Sequence, residues 1–126
     1  MADLPAATAD TMLDAAWVPA TVYYLSLHTA TPGTTGASEV TGGSYARQAI
    51  TFGSASAGSK ASAGTDAAQS FTGMPSVGSG TPYFGVWTLV SSGTYTGGGT
   101  TSGLSGAISA GSTINFVSGA VTLAVA

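Results

Sequence analysis

Residues 24–52, YLSLHTATPGTTGASEVTGGSYARQAITF, decide how this chain folds. Leu25 and Leu27 alternate with Ser26 and His28, the two-residue period of a half-buried strand, while Pro32, Gly33, Gly36, Gly42 and Gly43 punctuate the residues after it. Residues 45–52 resume the extended pattern. The passage therefore predicts a strand, a long turn-rich loop and a second strand. It also holds the chain's single His, single Glu and single Arg, which are His28, Glu39 and Arg47.

Upstream, residues 9–17 place Met12 with Ala16 and Leu13 with Trp17 at four-residue spacing, the pattern of one apolar helix face. Thr8, Asp10 or Thr11 can cap this helix and Pro19 stops it. A helix of about three turns is not stable alone in water. Met12, Leu13 and Trp17 are therefore expected to dock on the sheet or on a neighbour, and they are assigned to a partner interface. Residues 1–19 form an N-terminal arm with this helix, and residues 20–126 a β-domain.

Downstream, residues 53–64 are rich in Ser, Ala and Gly, with Lys60 near the centre, and read as an exposed hairpin or mobile loop. A strand is expected over 66–71, and a stronger one over 82–90 with Phe84, Val86, Thr88 and Val90 on one face. Residues 96–101 read as a glycine-rich turn. The last strands are expected over 103–108, 113–117 and 120–125, with Ser118 and Gly119 making a tight connection. Leu25, Leu27, Phe84, Trp87, Ile114, Phe116 and Leu123 form the expected core. Short strands at this spacing indicate a mainly β fold, a single-domain antiparallel β-sandwich or partly closed barrel with a short N-terminal helix.

A length of 126 residues suits one domain over 1–126. Charged residues make up 6%, against a typical ~25% for soluble domains. A surface so poor in charge packs against neighbouring subunits without desolvating ions, which points to an assembly. The net charge of −3, with Arg47 and Lys60 as the fixed cations, denies nucleic acid the basic footprint it requires. The chain has no Cys, and no apolar run approaches the ~18 residues of a membrane span. Asp3 stands where a signal peptide carries positive charge. Neither membrane insertion nor a disulfide framework is expected.

Chemistry finds little purchase. A lone His without a second His or any Cys is a poor metal site, because zinc takes three or four ligands. A hydroxyl nucleophile with His28 and Asp66 or Glu39 can be drawn as a triad, but no GxSxG elbow accompanies it. Paired carboxylates are scarce among Asp3, Asp10, Asp14, Glu39 and Asp66. Gly97, Gly98 and Gly99 lack the Lys and the helix of a phosphate loop. The reading is non-enzymatic, with no catalytic residue, metal or cofactor.

Loops as long as that between the first two strands need internal anchors to stay ordered. A Glu39–Arg47 pair would supply one. His28 and Tyr45 join it as structural anchors. Tyr23, Tyr24, Tyr45, Tyr83 and Tyr95 could present a sugar-binding surface, but Asn115, Gln48 and Gln69 are the only side-chain amides available to read a glycan. Cross-strand packing is the simpler role for these rings.

The quoted stretch, with the Gly85-Val86-Trp87 strand and the β-rich C-terminus after it, resembles a family of small bacteriophage virion proteins described as tail-fibre or minor tail proteins. The resemblance implies a structural part of a tailed phage particle; with the shortage of charge and the lack of Cys and of a signal peptide, the expectation is a homo-oligomeric subunit on the particle exterior, assembled in the bacterial cytoplasm, whose partners are itself and other virion proteins. A capsid decoration protein is the alternative, and a host-surface glycan is a weaker candidate partner. Thr88 stands where an acidic residue commonly follows the tryptophan, so no role of that acid carries over.

Overall fold

The computed structural model describes residues 5–61, 69–101, 103–116 and 121–124. One helix, α1 (Ala6–Ala16), precedes eight short strands: β1 (Tyr23–His28), β2 (Gln48–Ile50), β3 (Ser59–Ala61), β4 (Gln69–Phe71), β5 (Tyr83–Trp87), β6 (Tyr95–Thr100), β7 (Ile114–Phe116) and β8 (Thr122–Ala124). The fold is mainly β and antiparallel, consistent with a β-sandwich. Among the described residues no sheet closes into a barrel. The chain divides into two compact units, one of Met1–Val22, Ile50–Ala68 and Phe116–Ala126, the other of Tyr23–Ala49 and Gln69–Asn115.

In the first unit α1 packs on β3 and β8. The helix starts earlier than the apolar spacing predicts, because Ala6 and Ala7 are strong helix formers and the Pro5 carbonyl accepts the N–H groups of Thr8 and Ala9. Thr8, Asp10 and Thr11 therefore lie inside the helix rather than at its cap, and the Thr11 hydroxyl donates back to the Ala7 carbonyl at 3.0 Å. Trp17 closes it, its N–H bonded to the Leu13 carbonyl, two residues before Pro19. Ala9 and Leu13 face inward. Leu13, assigned above to a partner interface, is 1% exposed and belongs to the unit's own core, whereas Met12 is exposed and Trp17 half-buried.

The segment around Lys60, expected to be an exposed hairpin or mobile loop, carries a tight turn and β3. A tight turn with positive φ at Ala57 and Gly58 folds Ser59 back onto Ser56, and β3 then pairs with β8 so that Lys60 lies opposite Leu123. Lys60 is fully buried. Residues 62–64 of the expected loop, residues 66–68 of the expected strand and the Ser118-Gly119 connection lie outside the described residues.

The second unit is organised by a four-stranded sheet in the order β2-β1-β5-β6. β1 and β5 pair antiparallel with Leu25 opposite Val86, Ser26 opposite Gly85 and Leu27 opposite Phe84. β5 ends at Trp87, short of Val90, where a bulge shifts the register and a turn begins; the Thr88 N–H bonds to the Thr94 carbonyl across that turn. Residues 96–100, read as a turn, are strand. With β5 supplying the hydrogen bonds, Phe84 lies opposite Gly99 and Val86 opposite Gly97, so sheet context overrides the weak strand propensity of glycine. Residues 103–108 form no strand beyond an isolated bridge between Ile108 and Val77, and β7 pairs with β4. Leu25, Leu27, Phe84, Ile114 and Leu123 are buried. Trp87 and Phe116, placed in the core by sequence, are half-buried.

Candidate functional site

Polar side chains in the second unit converge on the end of β1 and the loop that extends from it. The loop doubles back so that Glu39 bridges to His28 and the Val40 N–H bonds to the Leu27 carbonyl. This brings the Glu39 carboxylate under Arg47. The guanidinium takes it in a fork, Nη2 to Oε1 at 2.8 Å and Nε to Oε2 at 2.9 Å, the bidentate geometry that gives charge-assisted bonds both strength and direction. Arg47 Nη1 reaches the other way, donating to the Leu89 and Ser92 carbonyls at 3.0 and 2.7 Å. The guanidinium carbon, Arg47 Cζ, lies over the Trp87 ring, 3.7 Å from its centre. One side chain thus ties together the loop after β1 and the turn after β5.

Tyr45 adds a second tie. Its hydroxyl donates to Glu39 Oε2 at 3.0 Å and accepts the Leu27 N–H at 2.9 Å, and its ring stacks on Phe71 with centres 5.7 Å apart. Burial pushes the phenol pKa well above its ordinary value, so the group stays a neutral donor.

Behind Trp87 runs a second chain of bonds. The indole Nε1 donates to Ser26 Oγ at 2.9 Å, and Ser26 Oγ lies 2.7 Å from His28 Nε2. His28 Nδ1 lies 2.7 Å from the Ala37 carbonyl. A carbonyl only accepts, so Nδ1 carries the proton, Nε2 is the acceptor, and the Ser26 hydroxyl donates to it. Burial lowers the His28 pKa, in agreement with this neutral tautomer. Gly85, opposite Ser26, makes room: a Cβ there would stand 2.7 Å from both His28 Nε2 and Ser26 Oγ. Gly36, at φ +74°, likewise lies against the Trp87 ring, where a Cβ would come within 2.5 Å.

The Ser26–His28 spacing is that of a nucleophile and its base, but both side chains are fully buried. His28 is oriented by the Ala37 carbonyl rather than by an acid. The Glu39 carboxylate, drawn as that acid from the sequence, is held instead by Arg47 and Tyr45, and Asp66 lies outside the described residues. Arg47, Glu39 and Tyr45 do border an open hollow of about 370 Å³ with Val90, Ser91 and Ser92. The charges on its wall already satisfy each other. Among the described residues no cluster of three or more His, Cys, Asp or Glu could hold a metal, and no helix is long and apolar enough to cross a membrane.

The first unit holds a pair that sequence reasoning missed. Asp10 and Asp14, one turn apart on α1, accept the Gly58 and Ala55 N–H groups at 2.8 and 2.9 Å, and Asp14 Oδ1 also takes Lys60 Nζ at 2.7 Å. Lys60 donates in addition to the Gly53 carbonyl. The bond from Lys60 and that from Ala55 hold the Asp14 pKa below the usual carboxylate value. The four-residue spacing of the two acids was the available signal; their partners lie more than forty positions away.

A family model described as podophage GP4 fiber I protein gp80 matches residues 4–124. The chain belongs to this podophage fibre family. The match runs through both units, so the Arg47 and Lys60 clusters alike fall within the family's span. No match was found among curated proteins or solved structures. Membership in a podophage fibre family makes the chain a phage tail-fibre-like structural protein, associated with other virion proteins.

Proposed function

We propose that this chain is a non-enzymatic, homo-oligomeric subunit on the exterior of the phage particle, attached to the tail as a small fibre-like or minor tail component. The observation that carries the reading is the fibre-family match over nearly the whole chain. The site geometry supports it. Both fixed cations bond to carboxylates, the Ser26–His28 pair is sealed, and the polar groups are spent on holding loops in place. Within this reading Glu39, Arg47, His28 and Tyr45 are anchors that order the long loop, and the exposed Met12 faces a virion neighbour.

Tracing the chain in a cryo-electron-microscopy map of the intact particle tests the reading. Density for several contacting copies on the tail is the expected result. Density over the capsomers would replace it with the decoration role, and isolated single copies would remove the homo-oligomeric part.

A further inference from the structure

We infer that His28, Ser26 and Trp87 form an acid-sensitive latch within the second unit: a proton taken up by His28 drives the Trp87 ring off Ser26 and loosens the seat under Arg47, while the sheet stays folded. The latch lies within one chain, so it works whether or not copies associate. It follows from the hydrogens that meet at one oxygen. Ser26 Oγ accepts the indole N–H of Trp87 and donates its own hydrogen to His28 Nε2, and among the described residues it makes no other bond. His28 Nδ1 already gives its proton to the Ala37 carbonyl, so a second proton enters at Nε2. Nε2 then turns from acceptor to donor. The hydroxyl hydrogen loses its acceptor at an oxygen that now faces two N–H groups. Ser26 and His28 are both fully buried, so an orphaned hydrogen there is costly.

Trp87 is the member that yields. Ser26 and His28 are held within β1 by its pairing with β5, whereas Trp87 is half-buried, ends β5 and follows the bulge after Val86. Departure of the ring frees the indole N–H for solvent and admits water to Ser26, which restores the missing acceptor. The same departure withdraws the ring from under Arg47 Cζ, from its edge contact with Tyr95 and from Gly36. Arg47 also holds the Leu89 and Ser92 carbonyls and the Glu39 carboxylate. The turn after β5 and the loop after β1 are therefore the segments that respond.

The groups around His28 set the direction. Glu39, which bridges to it, favours the imidazolium, but that carboxylate is already forked by Arg47, whose charge opposes a proton on the ring. The other titratable neighbours are phenols: Tyr83 opposite on β5, Tyr95 edge-on from β6 with ring centres 6.4 Å apart, and Tyr45 bonded to Glu39. Burial outweighs these charges and lowers the His28 pKa. The latch is thus closed at neutral pH and opens below the ordinary histidine value of about 6.5.

The experiment is an acid titration of the full chain. The chain has one His and two Trp, so His28 gives a unique imidazole NMR signal, and Trp17→Phe leaves Trp87 as the sole fluorophore. Far-UV circular dichroism of the same samples reports whether the strands persist. Expected is a reversible red shift of Trp87 emission with the same midpoint as the His28 signal, below pH ~6.5 and with the dichroism unchanged. The indole N–H resonance of Trp87 gives the same readout in the wild-type chain. His28→Gln should abolish the emission change. If protonation displaces Trp87, then by linkage the seated indole opposes protonation, so Trp87→Phe should raise the His28 midpoint by about half a pH unit or more. Trp87 emission that stays constant while His28 titrates overturns the latch, as does a shift that comes only with loss of the dichroism. Retention of the shift in folded His28→Gln, or an unmoved His28 midpoint in folded Trp87→Phe, overturns it equally.

Discussion

Arg47 in one unit and Lys60 in the other both end on a carboxylate, at 2.8 and 2.7 Å, yet the two pairs are built differently. Arg47 and Glu39 are both sheltered, their side chains 9% and 19% exposed, and the guanidinium divides its donors between the carboxylate and two carbonyls while lying against Trp87. Lys60 is wholly buried, but Asp14 keeps 38% of its side chain in water. In the Arg47 cluster, loss of one partner strands the other. In the Lys60 cluster the outcome depends on which partner is lost, because Asp14 can turn to solvent and Lys60 cannot.

The largest test of that difference is Arg47→Met. It leaves Glu39 sheltered with only the Tyr45 hydroxyl and removes the donor from two carbonyls, so unfolding in denaturant should show a loss of about 3 kcal/mol, the lower end for breaking a sheltered pair. Arg47→Lys should recover little, since an ammonium cannot reproduce the fork. A loss below about 0.5 kcal/mol would put Arg47 among ordinary surface charges.

Next is the double-mutant cycle of Glu39→Gln with Arg47→Met. Coupling above about 1 kcal/mol is expected for residues in one network, and additivity within about 0.3 kcal/mol would dissolve the network into independent contacts. Lys60→Met should cost less than Arg47→Met, about 1 kcal/mol, mostly for the Gly53 carbonyl left without its donor. Methionine fills much of the vacated apolar space, and Asp14 rehydrates. Asp14→Ala should be the worse half of that pair, because it leaves an ammonium buried without its counter-ion; a milder melt than that of Lys60→Met would reverse the proposed asymmetry.

The smallest effects separate the units by pH. Burial lowers the His28 pKa in the folded state, so unfolding takes up a proton once pH falls below its unfolded value of about 6.5. Stability is lost from there down through the folded pKa. Asp14 is also lowered, and as a carboxylate its contribution is present above the unfolded pKa and disappears as pH falls through the folded one, in a more acid window. Melting temperatures followed from neutral pH downward should therefore lose the slope near pH ~6 in His28→Gln and the slope below pH ~4 in Lys60→Met. Retention of both slopes in both variants would detach them from these residues.

The contrast between the clusters is also a contrast in legibility. Glu39 and Arg47 lie eight positions apart across one loop, within reach of a sequence argument about what such a loop requires. Asp14 and Lys60 are forty-six positions apart, and Lys60 sits in a stretch of Ser, Ala and Gly whose local character says exposed hairpin or mobile loop. Nothing local marks Lys60 as buried; pairing with β8 and the Asp14 carboxylate of α1 make it so. The same holds for β6, where three consecutive glycines read as a turn until β5 is beside them. Trp87 went the other way: flanking apolar residues suggest core, but the bulge after Val86 turns the ring to a half-buried position against Arg47 and Tyr95.

By itself the sequence determined the fold class, the helix before the strands, β1 and its adjoining loop, and the shortage of charge, because periodicity, turn residues and composition act over a few neighbouring positions. Only the tertiary structure decided which strands pair, that Ser26 joins Trp87 to His28, and that Lys60 is buried. Those outcomes depend on groups distant in sequence satisfying one another's hydrogen bonds once water is excluded, and no local pattern encodes that condition.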